Sequence, residues 1–129
     1  MSGPADSPAV ALVRDYLTAM EKGDLDRARK LLAKDAIVVF PSGRRLESVD
    51  AIDAATRRRY RACNKTFERF DVIERPQGAT VYCIGMLSGA WADGAAFSGI
   101  RFVDRFEIAG GAIVRQEVWN DSAYVRPPA

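Results

Sequence analysis

The second half of the chain leaves little freedom in what it can become. Four runs between Lys65 and Asp121, "KTFERFDVIER", "ATVYCIGMLSGAW", "AFSGIRFVDRFEI" and "AIVRQEVWND", are dense in β-branched and aromatic residues. Gly78, Asp93-Gly94 and Gly110-Gly111 separate them, each suited to a hairpin turn. Strands joined this closely pair antiparallel, so the spacing predicts a meander. The first half has helical spacing instead. Ser7-Pro8 reads as an N-cap with proline at the first helical position. "AVALVRDYLTAMEK" then puts Leu12, Val13, Tyr16, Leu17, Ala19 and Met20 on one broad apolar face. Gly23 stops that helix and Asp24 caps a second, "LDRARKLLAK". "DAIVVF" is a short strand, and Pro41, Ser42 and Gly43 turn the chain. A third helix follows over 48–63, capped by Ser48, with Val49, Ile52, Thr56, Tyr60 and Cys63 facing inward. The order predicts an α+β fold, a curved antiparallel sheet wrapped on three N-terminal helices. The 129 residues suit one domain over 8–124, between a disordered N-terminus at 1–7 and a tail at 125–129.

Side chains of a strand alternate between its faces. In "IRFVDRFEI" one face carries Ile100, Phe102, Asp104, Phe106 and Ile108, and the other Arg101, Val103, Arg105 and Glu107. An apolar face with a carboxylate at its centre needs a reason, because a buried unpaired charge costs several kcal/mol. Asp104 is therefore paired, protonated or in contact with a cavity. An arginine from a helix, Arg59 or Arg14, is one possible partner. The last strand has the same character: Ala112, Val114, Gln116, Val118 and Asn120 share a face. "ATVYCIGML" is apolar on both faces, one of them Tyr82, Ile84 and Met86. Were these faces to look the same way, they would line one concave surface against the helices. Its polar groups would be Asp104, Gln116, Asn120 and the Tyr82 hydroxyl, with Tyr16 and Tyr60 reaching in from the helices. An apolar pocket with a few convergent polar groups is the usual small-molecule site.

Other chemistries are closed off. The chain has no histidine, which removes the commonest general base and metal ligand. Its two cysteines, Cys63 and Cys83, make neither a disulfide framework nor a zinc cluster, and no metal or cofactor is expected. A net charge of +2 argues against nucleic acid or an anionic membrane as partner. "RRRYR" at 57–61 winds its arginines around a helix and reads as a solvated face. No apolar run approaches the ~20 residues of a spanning helix, and "MSGPADSPAV" lacks the layout of a secretion signal. A cytoplasmic location is the expectation.

The chain resembles the nuclear transport factor 2-like superfamily, which includes ketosteroid isomerases and SnoaL-like polyketide cyclases. The resemblance runs over about residues 8 to 124, and "YLTAMEKGDLDRARKLLAKDAIVVFPSG" and "FVDRFEIAGGAIVRQEVWND" carry it. It implies a cone-shaped fold with a deep pocket, and often a dimer. In the ketosteroid isomerases a helix-one tyrosine and a protonated aspartate form an oxyanion hole. Matched through the motifs, Tyr16 falls on the tyrosine and Asp104 on the aspartate. The aspartate base of those enzymes falls on Phe40, in "VVFPSG", which cannot move a proton. Arg101 and Asp104 are three apart, so the charge cluster of the limonene epoxide hydrolase relatives is absent. Some SnoaL-like cyclases use a late aspartate as base, and Asp121 is the candidate here.

Three functions stay open on these residues. One is a cofactor-independent isomerase, cyclase or dehydratase on a small apolar carbonyl compound. In it Tyr16 and Asp104 hold the oxygen, and Asp121, water or the substrate takes the proton. Phe40, Tyr60, Tyr82, Ile84, Met86, Phe102, Phe106, Gln116, Val118 and Asn120 would line its site. The second is a pocket that binds an apolar ligand without chemistry. The third is a dimerisation domain. The face with Arg101, Val103, Arg105, Glu107, Arg115, Glu117 and Trp119 mixes both charge signs around an aromatic, which suits a homodimer contact.

Overall fold

The computed structural model describes residues 6–127. Helix α1, Pro8–Lys22, begins where Ser7 Oγ accepts a hydrogen bond from Val10 N at 3.2 Å. It ends at Gly23, whose φ of 76° is open to glycine at little cost. Helix α2, Leu25–Leu31, is capped by the Asp24 carboxylate. Strand β1, Leu32–Val39, leads through a single 3₁₀ turn at Pro41–Gly43 to the two-residue strand β2, Arg45–Leu46. Ser48 caps α3, Val49–Arg59, accepting from Ala51 N at 3.0 Å. Four long strands follow: β3, Tyr60–Arg75; β4, Gly78–Trp91; β5, Ala96–Ala109; and β6, Ala112–Asn120. One turn of helix, α4, spans Ser122–Val125.

The six strands form one sheet in the order β2-β1-β6-β5-β4-β3. The meander β3 to β6 is antiparallel, as expected, but β1 lies parallel to β6, so the sheet is mixed. The connection from β1 to β6 spans most of the domain, so nothing forces the antiparallel arrangement that short hairpins impose. Tertiary pairing also moves two element ends. The second helix stops at Leu31 rather than Lys34, because Leu32 pairs with Ile113 on β6. The third stops at Arg59 rather than Cys63, because β4 extends to Trp91 and takes Tyr60 to Asn64 as its partner. Tyr60 and Cys63 therefore stand on a strand.

The core is the layer between α1 and the sheet, with Val13, Tyr16, Val38, Val81, Phe102, Phe106 and Ile113 all essentially buried. Register decides which face of each strand joins it. Cys83 pairs with Asp104, so Val81, Cys83 and Leu87 face inward. Tyr82, Ile84 and Met86, expected in the pocket, point to the opposite face. Tyr82 accepts a hydrogen bond from Arg105 there, and Met86 is 44% exposed. Alternation could not choose between two apolar faces of β4. On β6 a register shift between the Glu107–Arg115 and Ile108–Ile113 pairs puts Ile113 inside with Gln116. Strict alternation had set those two residues apart.

The ends of the chain depart from expectation too. Residues 1–5 and 128–129 lie outside the described residues, so disorder over 1–7 concerns mainly positions not described. Asp6 pairs with Arg14 at 2.5 Å and Ser7 caps α1. The tail expected from 125 begins later, because Val125 closes α4 and Arg126 packs over Trp91. Among the described residues no helix is long and apolar enough to cross a membrane.

Candidate functional site

A cavity of about 1110 Å³ opens between α1, α3, the α4 turn and the strands β3 and β6. Tyr16 forms part of its inner end. The helical face of α1 aims it at the sheet, where its ring meets Phe106 edge-on at 6.3 Å. The residue is 1% exposed and its hydroxyl has no hydrogen-bond partner. Lys65, from β3, and Gln116, from β6, belong to the same wall.

Asp104 stands at the centre of β5 with no exposure, between Phe102 and Phe106. It does not itself line the cavity. Lys65 Nζ is 3.7 Å from Asp104 Oδ2, close enough for attraction but beyond a hydrogen bond, and neither carboxyl oxygen has a hydrogen-bond partner. The cation near the acid is thus a lysine from a neighbouring strand. Arg14 instead lies over the Phe70 ring at 4.3 Å, and Arg59 over Trp91 at 5.0 Å. Lys65 is a charged residue of the cavity wall that the sequence does not single out. Its alternation with Phe67 on β3 was the signal, hidden because the strand was taken to begin at that residue.

Electrostatics sorts the roles. Burial raises the Tyr16 pKa, and the nearby Asp104 charge raises it further, so the hydroxyl stays a donor. Burial raises Asp104 as well; Lys65 and Gln116 pull it down, and burial prevails. Burial lowers the Lys65 ammonium, but the Asp104 carboxyl beside it opposes that, and the Lys65 pKa ends above its ordinary value. Cys63, on the cavity wall, is also raised by burial and remains a thiol. The inner end therefore holds two hydrogen-bond donors: the Lys65 ammonium, on a partly exposed side chain, and the Tyr16 hydroxyl, which is buried and meets a ligand oxygen only where the side chains over it give way.

The other expected site residues divide. Phe40, Tyr60, Val118 and Asn120 line the cavity, with Ile52, Phe67, Leu87 and Trp91 adding apolar wall. Tyr60 stacks on Trp91 at 5.4 Å. Asn120 spends its carbonyl oxygen on Ser122 N at 3.0 Å, holding the α4 turn. Phe102 and Phe106 belong to the core beneath. Asp121 sits off the cavity, its carboxylate 2.7 Å from Arg101 Nε. The arginines of "RRRYR", read as a solvated face, are exposed at 57, 58 and 61 and half-buried at 59, and all four also border the cavity at its mouth. Helix α3 ends among them and β3 begins there, which is what brings exposed arginines to the edge of the cavity. Among the described residues no group of three His, Cys, Asp or Glu could hold a metal ion.

This architecture, a curved sheet closed over helices around a pocket, defines a nuclear transport factor 2-like fold. The SnoaL-like domain profile matches residues 13–116, and the chain belongs to that family. An NTF2-like protein of Burkholderia pseudomallei superposes with a TM-score of 0.77 at 19% identity, over 93% of this chain and 95% of its own. A candidate polyketide cyclase of Pseudomonas putida gives 0.72 at 19%, over 97% and 100%. TerC, crystallised with polyporic acid, gives 0.69 at 15%, over 92% and 95%. Likeness at these identities establishes the fold. No curated protein matches in sequence.

Proposed function

We propose that the chain is a cofactor-independent enzyme that isomerises, cyclises or dehydrates a small, mostly apolar carbonyl compound. One observation carries the reading: a fully buried Tyr16 hydroxyl without a partner, on a residue that lines the same cavity as Lys65. A buried unpaired hydroxyl costs about 1 to 3 kcal/mol, which a ligand oxygen would recover. A carbonyl oxygen accepting from Tyr16 and Lys65 becomes a better acceptor as it gains enolate charge, so the two donors favour the transition state. Asp104 acts through Lys65, whose ammonium it faces at 3.7 Å and helps to position. The proton passes to water or to a group on the substrate. The three carboxylates on the cavity wall are engaged: Asp53 with Arg57, Asp93 with Arg126, and Glu21 with Lys65 N. Asp121 is engaged with Arg101. A cytoplasmic location belongs to the same proposal.

Deuterium uptake at the α-carbon of 2-acetylnaphthalene tests it. The chain is expected to accelerate exchange over buffer. Tyr16→Phe is expected to lower the acceleration by about 10² to 10³, the usual effect of one lost oxyanion donor. Lys65→Met is expected to lower it comparably. No acceleration, or acceleration indifferent to both substitutions, leaves a cavity that binds without chemistry.

A further inference from the structure

We propose that the substrate carries a carboxylate at the end remote from its carbonyl, and that the arginines at the cavity mouth recognise it. The inference rests on the carbonyl reading of the inner end given above. Eight cationic side chains line the cavity against three carboxylates, on a chain whose net charge is only +2. The three carboxylates do not neutralise the excess. Asp53 is held by Arg57 at 2.8 Å and Asp93 by Arg126 at 2.8 Å, with Arg61 nearby. Glu21 accepts from the backbone of Lys65. Among the described residues Arg44 and Arg58 have no carboxylate partner at all, and Arg58 reaches only a backbone carbonyl, Ala54 O, at 3.5 Å.

Like charges lining one cavity repel, so the arrangement is favourable mainly when an anion sits among them. A guanidinium fork matches a carboxylate better than it matches any neutral group. Two of the cations, Arg59 and Arg126, lie over the Trp91 ring at 5.0 Å, so charge and apolar wall meet there. Phe40, Ile52, Leu87, Trp91 and Val118 lie along the same cavity. Arg61 and Lys65 are four residues apart on β3, which is roughly 13 Å of strand. A compound that reaches both ends is therefore about the length of a fused two-ring system, with a carbonyl at one end and a carboxylate at the other.

Isothermal titration of the full chain compares 6-acetyl-2-naphthoate with 2-acetylnaphthalene, which lacks only the carboxylate. The naphthoate is expected to bind about tenfold more tightly, the scale of a hydrogen bond to a charged group. That advantage should shrink as salt rises from about 0.02 M to about 0.5 M. The double variant Arg44→Gln/Arg58→Gln should lose most of it and leave the affinity for the neutral ketone unchanged. Arg45→Gln, beside Arg44 but off the cavity, should change neither affinity. Single variants at Arg44 and Arg58, each expected to lose about threefold, carry the test if the double variant is unstable. Equal affinities, an advantage that ignores salt, or a double variant that behaves like Arg45→Gln overturns the proposal. So does failure of both compounds to bind. Deuterium exchange on the same ketones separates this inference from the reading beneath it. A preference for the naphthoate without exchange keeps the anion site and removes the enolate chemistry. Exchange without the preference does the reverse.

Discussion

Asp104 is the residue on which the inner end turns, and its protonation can be read from stability. Its native pKa lies above the ordinary 3.8 because burial outweighs Lys65 and Gln116. The native state then holds a proton that the unfolded chain has released, so wild-type stability falls as pH rises from 3.8 toward the native value. Lys65 is raised from 10.5, keeps its proton in both states across that window, and loses its contribution only at higher pH. Asp104→Asn should therefore gain on the wild type as pH rises. Its cost near pH 7 should fall below the roughly 3 to 5 kcal/mol of a broken buried ion pair. Urea unfolding of both proteins between about pH 4 and pH 8 checks this; a difference that moves the other way would mean that Lys65 dominates burial. At this scale the sequence was legible wherever a polar residue interrupted an apolar face. Tyr16, Asp104 and Gln116 stood out for that reason. Lys65 did not, since it lay at the assumed start of a strand, and Tyr82, Ile84 and Met86 were misassigned because both faces of β4 are apolar.

Among the elements, the caps were readable and the junctions were not. Ser7, Gly23, Asp24 and Ser48 act where local chemistry placed them, because a cap is settled by three or four neighbouring residues. The ends of α2 and α3 are settled by strands dozens of residues away, and no local pattern contains them. The β3–β4 hairpin carries a register shift between the Phe67–Gly85 and Arg69–Ile84 pairs. Gly85 is what admits it. A Cβ there would lie 2.0 Å from the Thr66 carbonyl oxygen and 3.1 Å from the Phe102 ring. Gly85→Ala is expected to destabilise by about 1 to 3 kcal/mol, the range of overpacked positions. It should also shift Lys65, the residue before Thr66, relative to Asp104. Denaturant unfolding measures the first effect. A cost under about 0.5 kcal/mol, the level of an ordinary surface change, would mean that the two strands can part without loss.

For the molecule as a whole, the outer face of the sheet invites a second copy. Trp119 is 52% exposed and Met86 44%, beside a network in which Arg105 bridges Glu107 and Glu117. We propose a homodimer through this face, with the tryptophan near its centre and the paired charges around it. Sedimentation should give a dimer at tens of micromolar, and Trp119→Ala should weaken it while leaving ligand affinity in the cavity unchanged. A wild-type monomer at that concentration removes the proposal. The α+β class and the helices-then-meander order were legible from spacing. The parallel pairing of β1 with β6 was not, because the two strands meet only in the assembled sheet. That pairing sets a timetable for the nascent chain. Val38 waits for Gln116, far along the chain, so the edge of β1 has no neighbour on that side until β6 leaves the ribosome. The walls that β6 and the α4 turn supply are then made after those of α1, α3 and β3. Contacts this distant are slow to form, and until β6 is made that side of β1 stays an unpaired strand edge.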